Sequence, residues 1–493
     1  MKFIKLFIAA TFAAAAFSSC SEERLLEEPV DQFPIDQAIT SETDMKSVVN
    51  GIYDQYSTAN GFGADVLAFG DLISDNVFIS NTSSDVAYQS TGFLNWSSDV
   101  SDFAMLDEFY DGIILANLVI NNTSVEETGS VKNLKGEARI ARALGYFYAV
   151  SYYSPNPTSG VNQEYGVPLN LGAYDPRTKL ARASVSEVYD QIILDLTTAL
   201  NIMNVEGVIT DKGHLSKTAA RLLLSRVYLT RGQAGDYEKS IQYADQVING
   251  SGGADFAFVS RPDYVNYFSS ANVNVSENQK ETVWEINMDG NPSENPGVNE
   301  ALSSFYANNG TKKRFLFTGS FYASFPTADI RRSLFINSGP VEGPNIPRGV
   351  WTRKYVVSMQ DNSNSNDPKV IPNSQNIKVL RMSEAYLNRV EALFKLGRLP
   401  EALAGLNAFA ATRGGSTYTA ATLNNILTER RKEFFGEGQR FFDLKRNNLG
   451  FSRDSNCYSI ICSVEANNRL FVIPMPLREM NVNPNMQQYP SWK

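Results

Sequence analysis

One stretch decides the fold of this chain, residues 429–446, which read ERRKEFFGEGQRFFDLKR. Phe434 and Phe441 are seven residues apart, so one face of a helix through this stretch is aromatic. Gly436 and Gly438 would each cost a helix interior roughly 1 kcal/mol relative to alanine. We therefore expect the helix to break, or the backbone to make a close contact, at the two glycines.

Charged side chains of both signs alternate along the same stretch. Three acid–base pairs are three residues apart, a spacing at which side chains meet on a helix surface. These pairs are Arg430 with Glu433, Glu437 with Arg440, and Asp443 with Arg446. Interleaved charges at pairing distance are typical of a structural network. We therefore predict an arginine–carboxylate network here and not a catalytic centre.

Amphipathic helices are predicted along much of the chain before this stretch. Ser41 with Asp44, and Ser184 with Glu187, form capping boxes that mark helix starts. Apolar residues continue from these starts at helical spacing, and the same periodicity predicts further helices. These further helices cover 103–122, 136–153, 216–229, 236–248, 382–397 and 399–409.

The predicted helices come in pairs joined by short turns. The turn Gly235-Asp236-Tyr237-Glu238-Lys239 resembles that of the tetratricopeptide repeat, in which a glycine ends the first helix and a small residue allows the second to pack closely. Other repeat positions are degenerate, so we predict irregular pairs and not a regular solenoid. About four such pairs are expected, within residues 103–153, 184–250 and 380–412.

Two regions lack helical periodicity, residues 58–101 and 251–378. Both are rich in Asn, Ser and Gly with aromatic residues between them, and Thr282 to Ile286 alternates like a strand. So long an irregular region is uncommon in a compact domain unless it builds a functional surface. We therefore predict a mostly α protein, with helix pairs as scaffold and a loop-rich, partly β half that binds ligand. The alternative is that the aromatic residues fill the core of an irregular subdomain.

The N-terminus has the pattern of a bacterial lipoprotein signal. Lys2 and Lys5 precede an apolar run of about 12 residues, which fits a secretory signal and is too short to span a bilayer. The small residues before Cys20 resemble a lipobox, so we expect residues 1–19 to be removed and Cys20 to be acylated. Residues 20–40 then read as an extended tether. The alternative is an ordinary cleaved signal with a cysteine there by chance.

Charge and residue counts exclude several functional classes. Without residues 1–19, 42 basic and 53 acidic residues leave a formal net charge of −11, which argues against nucleic acid as a partner. The single histidine, His214, excludes a histidine-rich zinc site and is expected to be a solvated loop residue. The phosphate-binding patterns GxxxxGKS and GxGxxG are absent from the sequence, so neither cofactor nor metal is expected. An extracytoplasmic address allows Cys457 and Cys462 to form a local disulfide.

The motifs of the chain together resemble those of the SusD/RagB family of outer-membrane nutrient-binding lipoproteins. The resemblance covers nearly the whole chain in the order of the family. It rests on residues 429–433 and 437–446, on the ending with Ile473-Pro474, Glu479, Asn483-Pro484-Asn485 and Gln487, and on Cys20, Ala141-Arg142-Ala143, Tyr146-Phe147-Tyr148 and Tyr189-Asp190-Gln191-Ile192. It implies one SusD-like domain over residues 41–493, with its C-terminal signature in 422–493.

The resemblance implies nutrient capture at the cell surface. Such proteins are lids on TonB-dependent transporters of the SusC type, and they capture oligosaccharides or, in RagB-like members, oligopeptides. Binding and hinge motion are then the mechanism, and no bond chemistry is involved. Ser21-Glu22-Glu23 resembles the signal that sends lipoproteins of the Bacteroidetes to the cell surface.

Ligand residues in this family lie in its variable loops, so the shared motifs carry no site template. We expect aromatic residues of the irregular regions to stack on sugar rings, with Asp75 and Asn76 as polar partners. The predicted stacking residues are Tyr88, Trp96, Tyr306 and Trp351. A peptide would instead be held by backbone hydrogen bonds and side-chain pockets, and the sequence leaves the two ligand classes open.

A surface glycoside hydrolase is the enzymatic alternative. It requires a pair of carboxylates that flank the scissile bond, and the many acidic residues of the chain allow this. Burial of Glu433, Glu437 and Asp443 in arginine pairs would argue against it.

Overall fold

The computed structural model describes most of the chain from residue 38 onward. The described residues are 38–80, 86–99, 102–173, 175, 177–208, 211–277, 279–288, 296–297, 299–336, 349–361, 369–453, 457 and 459–493. The predicted signal peptide, Cys20 and most of the predicted tether lie outside them. Within the described residues the protein is mostly helical with small antiparallel sheets, which confirms the predicted fold class.

Helices make up about half of the described residues, and none of these helices is long and apolar enough to cross a lipid bilayer. The α-helices are α1 (Glu42–Ser57), α2 (Asp65–Leu72), α3 (Gln89–Gly92), α4 (Met105–Asn121), α5 (Gly129–Tyr153), α6 (Val185–Ile202), α7 (Lys217–Arg231), α8 (Asp236–Ile248), α9 (Tyr264–Ser269), α10 (Val273–Ser276), α11 (Leu302–Tyr306), α12 (Gly319–Ala323), α13 (Met382–Lys395), α14 (Leu399–Arg413), α15 (Leu423–Phe434), α16 (Gln439–Arg446) and α17 (Leu477–Val482). Short 3₁₀ helices lie at Ser251–Gly253, Ile330–Leu334, Arg469–Phe471 and Pro490–Trp492.

Local sequence signals set the helix starts. The predicted capping box of α1 is present, because Ser41 Oγ accepts from the Asp44 N–H and the Asp44 carboxylate accepts from the Ser41 N–H. Ser184 and Glu187 cap α6 in the same way. Each box satisfies backbone donors that a helix start otherwise leaves unpaired.

Helix α5 is the central element of the helical half. It begins at Gly129, earlier than its periodicity predicts, because Thr128 accepts a hydrogen bond from the Val131 N–H and caps it there. Helices α1, α4 and α6 pack against it. Pairwise contacts continue from α6 through α7 and α8 to α13 and α14, as expected of stacked helix pairs.

The strands form small antiparallel sheets. They are β1 (Val77–Ile79), β2 (Thr282–Ile286), β3 (Phe315–Thr318), β4 (Phe335–Ile336), β5 (Gly349–Thr352), β6 (Ser358–Asp361), β7 (Lys369–Pro372), β8 (Ile377–Arg381), β9 (Phe451–Ser452) and β10 (Ser463–Val464). The largest sheet has the order β1-β3-β5-β4, with Phe317 opposite Val77 on one side and Val350 on the other. Strand β2, which the sequence predicts, pairs with β8.

Aromatic residues of the irregular regions lie in the core. Trp284, Tyr306, Phe317 and Phe335 are all at most 5% exposed. The ring of Phe335 stacks on that of Phe435, with 4.5 Å between the centroids. Large buried rings dominate packing energy, so these residues hold the irregular half against the C-terminal helices. For these aromatic residues the core interpretation is the one that the structure supports.

The 429–446 stretch folds as two helices with a break between them, as its glycines predict. Gly436 and Gly438 lie between α15 and α16 with φ of +77° and +72°, a conformation that favours glycine. Gly438 also contacts Gly70 of α2, where an added Cβ would be 1.9 Å from the Gly438 carbonyl oxygen. At this break, the backbone between α15 and α16 therefore contacts the backbone of α2, which lies more than 360 residues earlier in the chain.

The two C-terminal cysteines form a disulfide. Cys457 and Cys462 have Cα atoms 5.7 Å apart and lie between the paired strands β9 and β10. Arg453, in the same connection, donates hydrogen bonds to the carbonyl oxygens of Leu72 and Gly92. This hairpin therefore supports both the end of α2 and the end of α3.

Candidate ligand-binding cleft

One face of α15 is sealed inside the protein. Glu433 is fully buried, 3.0 Å from Arg381, 3.2 Å from Arg413 and 3.4 Å from Arg331. Burial alone would raise the pKa of Glu433, but the three guanidinium groups hold it well below its usual range. Glu281 is a second carboxylate, 2.6 Å from Arg381 and 2.7 Å from Arg413. We call these five residues the buried ion-pair cluster.

The predicted arginine–carboxylate network is present, with partly different partners. Asp443 and Arg446 pair at 2.7 Å, as their spacing predicts. The other two predicted pairs do not form, although all their side chains are described. Glu437 instead lies 2.8 Å from Arg381 and 2.6 Å from Lys354, because the glycine break turns α16 away from the line of α15.

The opposite face of α15 lines an open cleft with a volume of about 680 Å³. Helical spacing places Asn424, Thr428 and Arg431 on one stripe that faces this cleft. Helix α12 contributes Phe321, and α16 contributes Arg440. The cleft thus combines side chains of the C-terminal signature with side chains of the irregular region.

Asp75 lies in this cleft between two arginines. Its Oδ1 accepts a hydrogen bond from Arg440 Nε at 2.7 Å, and its Oδ2 accepts one from Arg440 Nη2 at 3.0 Å. Arg431 Nη1 is 3.2 Å from the same Oδ2. Burial opposes ionisation of Asp75, but Arg431 and Arg440 hold its pKa below the usual range. The cleft therefore holds a permanent carboxylate beside two cations.

Asn76, the other predicted polar partner, is fully buried. Its Oδ1 accepts a hydrogen bond from Arg431 Nε at 2.7 Å. On its other side Arg431 stacks over Phe321, with its guanidinium carbon 4.6 Å from the ring centroid. Asn76 and Phe321 therefore fix the plane of this guanidinium group. Direct contact of Asn76 or Asp75 with a ligand stays a prediction.

Tyr306 and Tyr88, two of the predicted stacking residues, are tied to buried carboxyl groups. Tyr306 is fully buried, and its hydroxyl donates to Asp71 Oδ2 at 3.1 Å. Burial raises the pKa of Asp71 to about 6. Tyr88 is partly exposed and donates to Asp65, whose pKa burial raises to about 8. These contacts give both tyrosines structural partners, and their stacking on a ligand stays a prediction.

Trp96 and Trp351 are also packed inside. Trp96 is 2% exposed and meets Phe103 edge to face at 5.3 Å between ring centroids. Trp351 is 6% exposed and packs with Phe78 and Leu316 on one face of the largest sheet. The residues that line the cleft do not include any of the four predicted stacking residues. A ligand would reach either tryptophan only after local rearrangement.

His214 lies apart from the cleft. Its side chain is 42% exposed, and its Nδ1 is 3.0 Å from Glu137 Oε2, which also accepts a hydrogen bond from the Tyr53 hydroxyl at 2.7 Å. The hydrogen bond with Glu137 raises the pKa of His214. Across the described part of the chain, no group of three or more His, Cys, Asp and Glu side chains could hold a metal ion.

Sequence reasoning missed the residues of α15 and α16 that line the cleft. The interleaved charges of this stretch predict only a structural network, with Arg440 paired to Glu437 and Arg431 in none of the predicted pairs. The available signal was the polar stripe of Asn424, Thr428 and Arg431, which runs opposite the stripe that carries Glu433. This signal reveals an exposed helix face but does not show that a cleft covers it.

Two family profiles match this chain. The SusD family matches residues 337–492, and a family described as "Starch-binding associating with outer membrane" matches residues 25–229. The chain belongs to the SusD/RagB family. This membership places it among binding proteins that are not catalytic, as the resemblance of its motifs implied.

Relatives and solved structures agree with this assignment. A SusD-like protein of Bacteroides ovatus is 26% identical over 365 residues, which are 68% of this chain and 64%, slightly under two thirds, of that protein. A putative sugar binding protein from Bacteroides vulgatus has a TM-score of 0.80 at 25% identity, covering 93% of this chain and 100% of that one. A SusD superfamily protein from Bacteroides thetaiotaomicron has a TM-score of 0.77 at 26% identity, covering 91% and 100%. The SusD-like fold thus extends over nearly the whole chain.

Proposed function

We propose that this SusD/RagB-family protein is a lipid-anchored surface protein that captures oligosaccharides and delivers them to a SusC-like TonB-dependent transporter. The cleft beside α15 carries the proposal. It is open, about 680 Å³ in volume, and lined by amide, hydroxyl and guanidinium donors that suit sugar hydroxyl groups. The starch-binding description of the matching family supports the same ligand class, as does the similarity to the putative sugar binding protein of B. vulgatus.

The carboxylates of the protein suit binding without turnover. A glycosidase needs two carboxyl groups that flank the scissile bond. Of the residues that the structure describes, Asp75 is the one acid that lines the cleft, and two arginines hold it. Glu433, Glu437 and Asp443 are all in ion pairs with basic side chains. Among the residues that the structure describes, this arrangement offers no pair of free carboxylates at the cleft.

Membrane attachment through acylated Cys20 is the second part of the proposal. The lipobox-like sequence before Cys20 supports it, as does the outer-membrane description of the family that matches residues 25–229. A Cys20→Ser variant should lose incorporation of labelled palmitate and be absent from the outer-membrane fraction. Palmitate incorporation by the variant, or its normal recovery in the outer membrane, would contradict lipid anchoring at Cys20.

Calorimetric titration of the soluble protein, starting at Ser21, tests the capture role. Panels of plant, host and microbial oligosaccharides and a mixed oligopeptide digest serve as ligands, with product analysis on the same samples. Saturable glycan binding without cleavage is the expected result. Binding to peptides alone would assign the protein to oligopeptide capture, and hydrolysis products would contradict the binding role.

A further inference from the structure

We infer that Arg453 is a positioning residue of the cleft and that the Cys457–Cys462 disulfide holds it in place, so that ligand affinity depends on both. This inference rests on the proposed function and concerns the same site. Arg453 is not among the described residues that line the cleft. It acts on the cleft through the loop that carries Asp75 and Asn76.

The loop after α2, residues 73–76, orients charged side chains of the cleft. The Asp75 carboxylate accepts two hydrogen bonds from Arg440, and the Asp75 backbone carbonyl accepts one from Arg431 Nη2 at 2.6 Å. Asn76 Oδ1 accepts a further hydrogen bond from Arg431 Nε at 2.7 Å. A shift of this loop would therefore change the orientation of both arginines. Holding the loop in one position lowers the entropy that ligand binding must lose.

Arg453 contacts this loop and the ends of two helices. Its Nη2 donates to the Leu72 carbonyl oxygen at 2.8 Å, its Nη1 to that of Gly92 at 2.6 Å and its Nε to that of Ser74 at 3.2 Å. Leu72 and Gly92 are the last residues of α2 and α3, and carbonyl groups at a helix end lack partners within the helix. A single guanidinium group thus joins both helix ends to the loop.

The charge of Arg453 strengthens these contacts. Its side-chain hydrogen bonds to described residues all go to uncharged oxygen atoms. Burial lowers the pKa of Arg453 to about 10, and the nearby charge of Asp75 opposes this shift, so the group remains a cation at neutral pH. A charged donor binds a carbonyl oxygen more strongly than a neutral donor does. Removing the guanidinium group would leave these carbonyl groups without that partner.

The disulfide holds Arg453 through a short hairpin. Strands β9 and β10 form only two residue pairs, and so short a hairpin is not stable alone. The Cys457–Cys462 bond closes its far end, and the Arg453 N–H donates to the Cys462 carbonyl oxygen at 2.8 Å. Ser459, between the two cysteines, accepts from Arg453 Nη1 and donates to the Gly92 carbonyl oxygen at 3.0 Å. The disulfide therefore restrains both the backbone and the side chain of Arg453.

The base of the same hairpin is part of the cleft wall. Leu449 and Gly450 directly precede β9 and line the cleft. The hairpin thus acts on the cleft twice, directly through these two residues and through the contact of Arg453 with the 73–76 loop. Opening the disulfide should loosen both parts of the wall together.

The first arm of the test compares variants of Arg453. The probe is the oligosaccharide of the titration panel that the unmodified soluble protein binds most tightly. Arg453→Met keeps the length of the side chain but loses its donors, and we expect about tenfold weaker binding because the loop is no longer held. Arg453→Lys keeps the charge and three donors, so it should recover part of this loss. Unchanged affinity in folded Arg453→Met would overturn the inference.

A matched control separates positioning from a general loss of stability. Val188 is buried in α6 and is not among the described residues that line the cleft. Val188→Ala leaves a cavity in the core and should lower the stability to urea while the affinity stays unchanged. Weaker binding by Val188→Ala of the same size as that by Arg453→Met would overturn the inference, because any destabilisation would then act alike.

The second arm opens the disulfide. Cys457 and Cys462 are the only cysteines of the soluble protein that starts at Ser21, so a thiol reductant acts on this bond alone. Dithiothreitol supplies the two electrons and two protons that convert the disulfide into two thiols. We expect weaker binding after reduction, recovery after reoxidation, and the same weak binding by a Cys457→Ser/Cys462→Ser double variant. Equal affinity of the unmodified protein and the double variant would overturn the inference.

Hydrogen exchange separates the inference from the proposed function, because it needs no ligand. Peptides that contain residues 73–76 should exchange faster in Arg453→Met than in the unmodified protein, with exchange in α6 unchanged. If Arg453→Met does not fold, Arg453→Lys and the double cysteine variant replace it. Binding of no glycan by the unmodified protein would overturn the proposed function. Exchange would then decide about Arg453: faster exchange supports its positioning role, and equal exchange overturns it.

Discussion

Both faces of helix α15 carry charged side chains, but one face is buried and the other is open to solvent. On the inner face, fully buried Glu433 meets three arginines of the buried ion-pair cluster. On the outer face, Arg431 lines an open cleft and shares Asp75 with Arg440. A pattern of alternating charges along a helix therefore does not predict one role. Charged residues on the buried face stabilise the fold, whereas those on the solvent-exposed face are available to a ligand.

Desolvation explains the difference between the two faces. A charge without a partner in the interior costs several kcal/mol, so each charge of the buried ion-pair cluster has several partners. Water reaches the cleft, so a charged side chain there needs fewer partners from the protein than one in the interior. The inner face should therefore dominate stability and the outer face binding.

Replacing Glu433 with Gln should have the largest effect. It removes the carboxylate that Arg331, Arg381 and Arg413 share and leaves a neutral amide among three guanidinium groups in a buried position. We expect the free energy of unfolding to fall by about 3–5 kcal/mol, measured by urea denaturation. A decrease in the free energy of unfolding of less than about 1 kcal/mol would contradict the burial of this ion-pair cluster.

A matched control variant and the pH dependence of unfolding test whether the effect of Glu433→Gln comes from its buried charge. Glu401→Gln breaks an exposed ion pair with Arg398 and should leave unfolding unchanged. Because the folded-state pKa of Glu433 is below its unfolded value, its stabilisation is present above about pH 4.5 and is lost as pH falls through the folded-state pKa. The unmodified protein should therefore lose more stability than Glu433→Gln when the pH is lowered from 5 to 3.

Gly70→Ala should have the next largest effect, through the backbone that supports the cleft. Its Cβ would be 1.9 Å from the Gly438 carbonyl oxygen, so α2 and the start of α16 must separate. We expect a loss of about 1–3 kcal/mol in unfolding free energy. Gly51→Ala, in α1 with 3.6 Å of room to Leu115, is the control and should be neutral or stabilising. Equal behaviour of the two variants would contradict the close contact.

Asp75→Asn should cost less stability than Glu433→Gln, because its arginines reach solvent. We expect a loss of about 1–2 kcal/mol, since the amide keeps one acceptor for Arg440. Asparagine keeps the size of the side chain but loses its charge, so a ligand whose hydroxyl groups donate to Asp75, as the sequence predicts, should bind the variant more weakly. Unchanged binding would contradict Asp75 as a ligand residue.

Glu137→Gln should have the smallest effect on stability. It removes the carboxylate of the Glu137–His214 ion pair, which lies away from both faces of α15. The pKa of His214 should fall toward 6.5 when the Glu137 carboxylate is removed, and NMR titration can follow it without overlap because the chain has one histidine. The raised folded-state pKa stabilises the protein below about pH 6.5, and this contribution is lost as pH rises through that pKa. An unchanged pKa would show that the carboxylate does not set it.

The helical scaffold could be predicted because its signals are local. The capping boxes at Ser41 and Ser184 lie within four residues of the helix starts that they mark. The break at Gly436 and Gly438 follows from the cost of glycine in a helix. The three partners of Glu433 could not be predicted in the same way. Arg331, Arg381 and Arg413 all lie outside the helix that carries Glu433, so helical spacing does not identify them.

The candidate cleft could be predicted only in part. Asp75 was expected at the ligand and does line the cleft, because short polar loops often carry binding residues. Trp96 and Tyr306 were expected on a surface, but composition does not tell a buried ring from an exposed one. Whether a residue is buried depends on which elements pack over it. Irregular regions have no periodic apolar pattern from which this packing could be predicted.

The contact between Gly70 and Gly438 also has a consequence for how the chain folds. Close by, the Gly438 N–H donates to Asp71 Oδ2 at 3.4 Å across a separation of 367 residues. Contacts of such sequence separation form late, since most of the chain must be present and ordered before they close. Helix α2 therefore cannot pack against the segment around Gly438 until nearly all of the polypeptide has been synthesised. Truncation before residue 438 would leave a chain with an open apolar surface at its beginning, and its fate would be decided by aggregation and proteolysis.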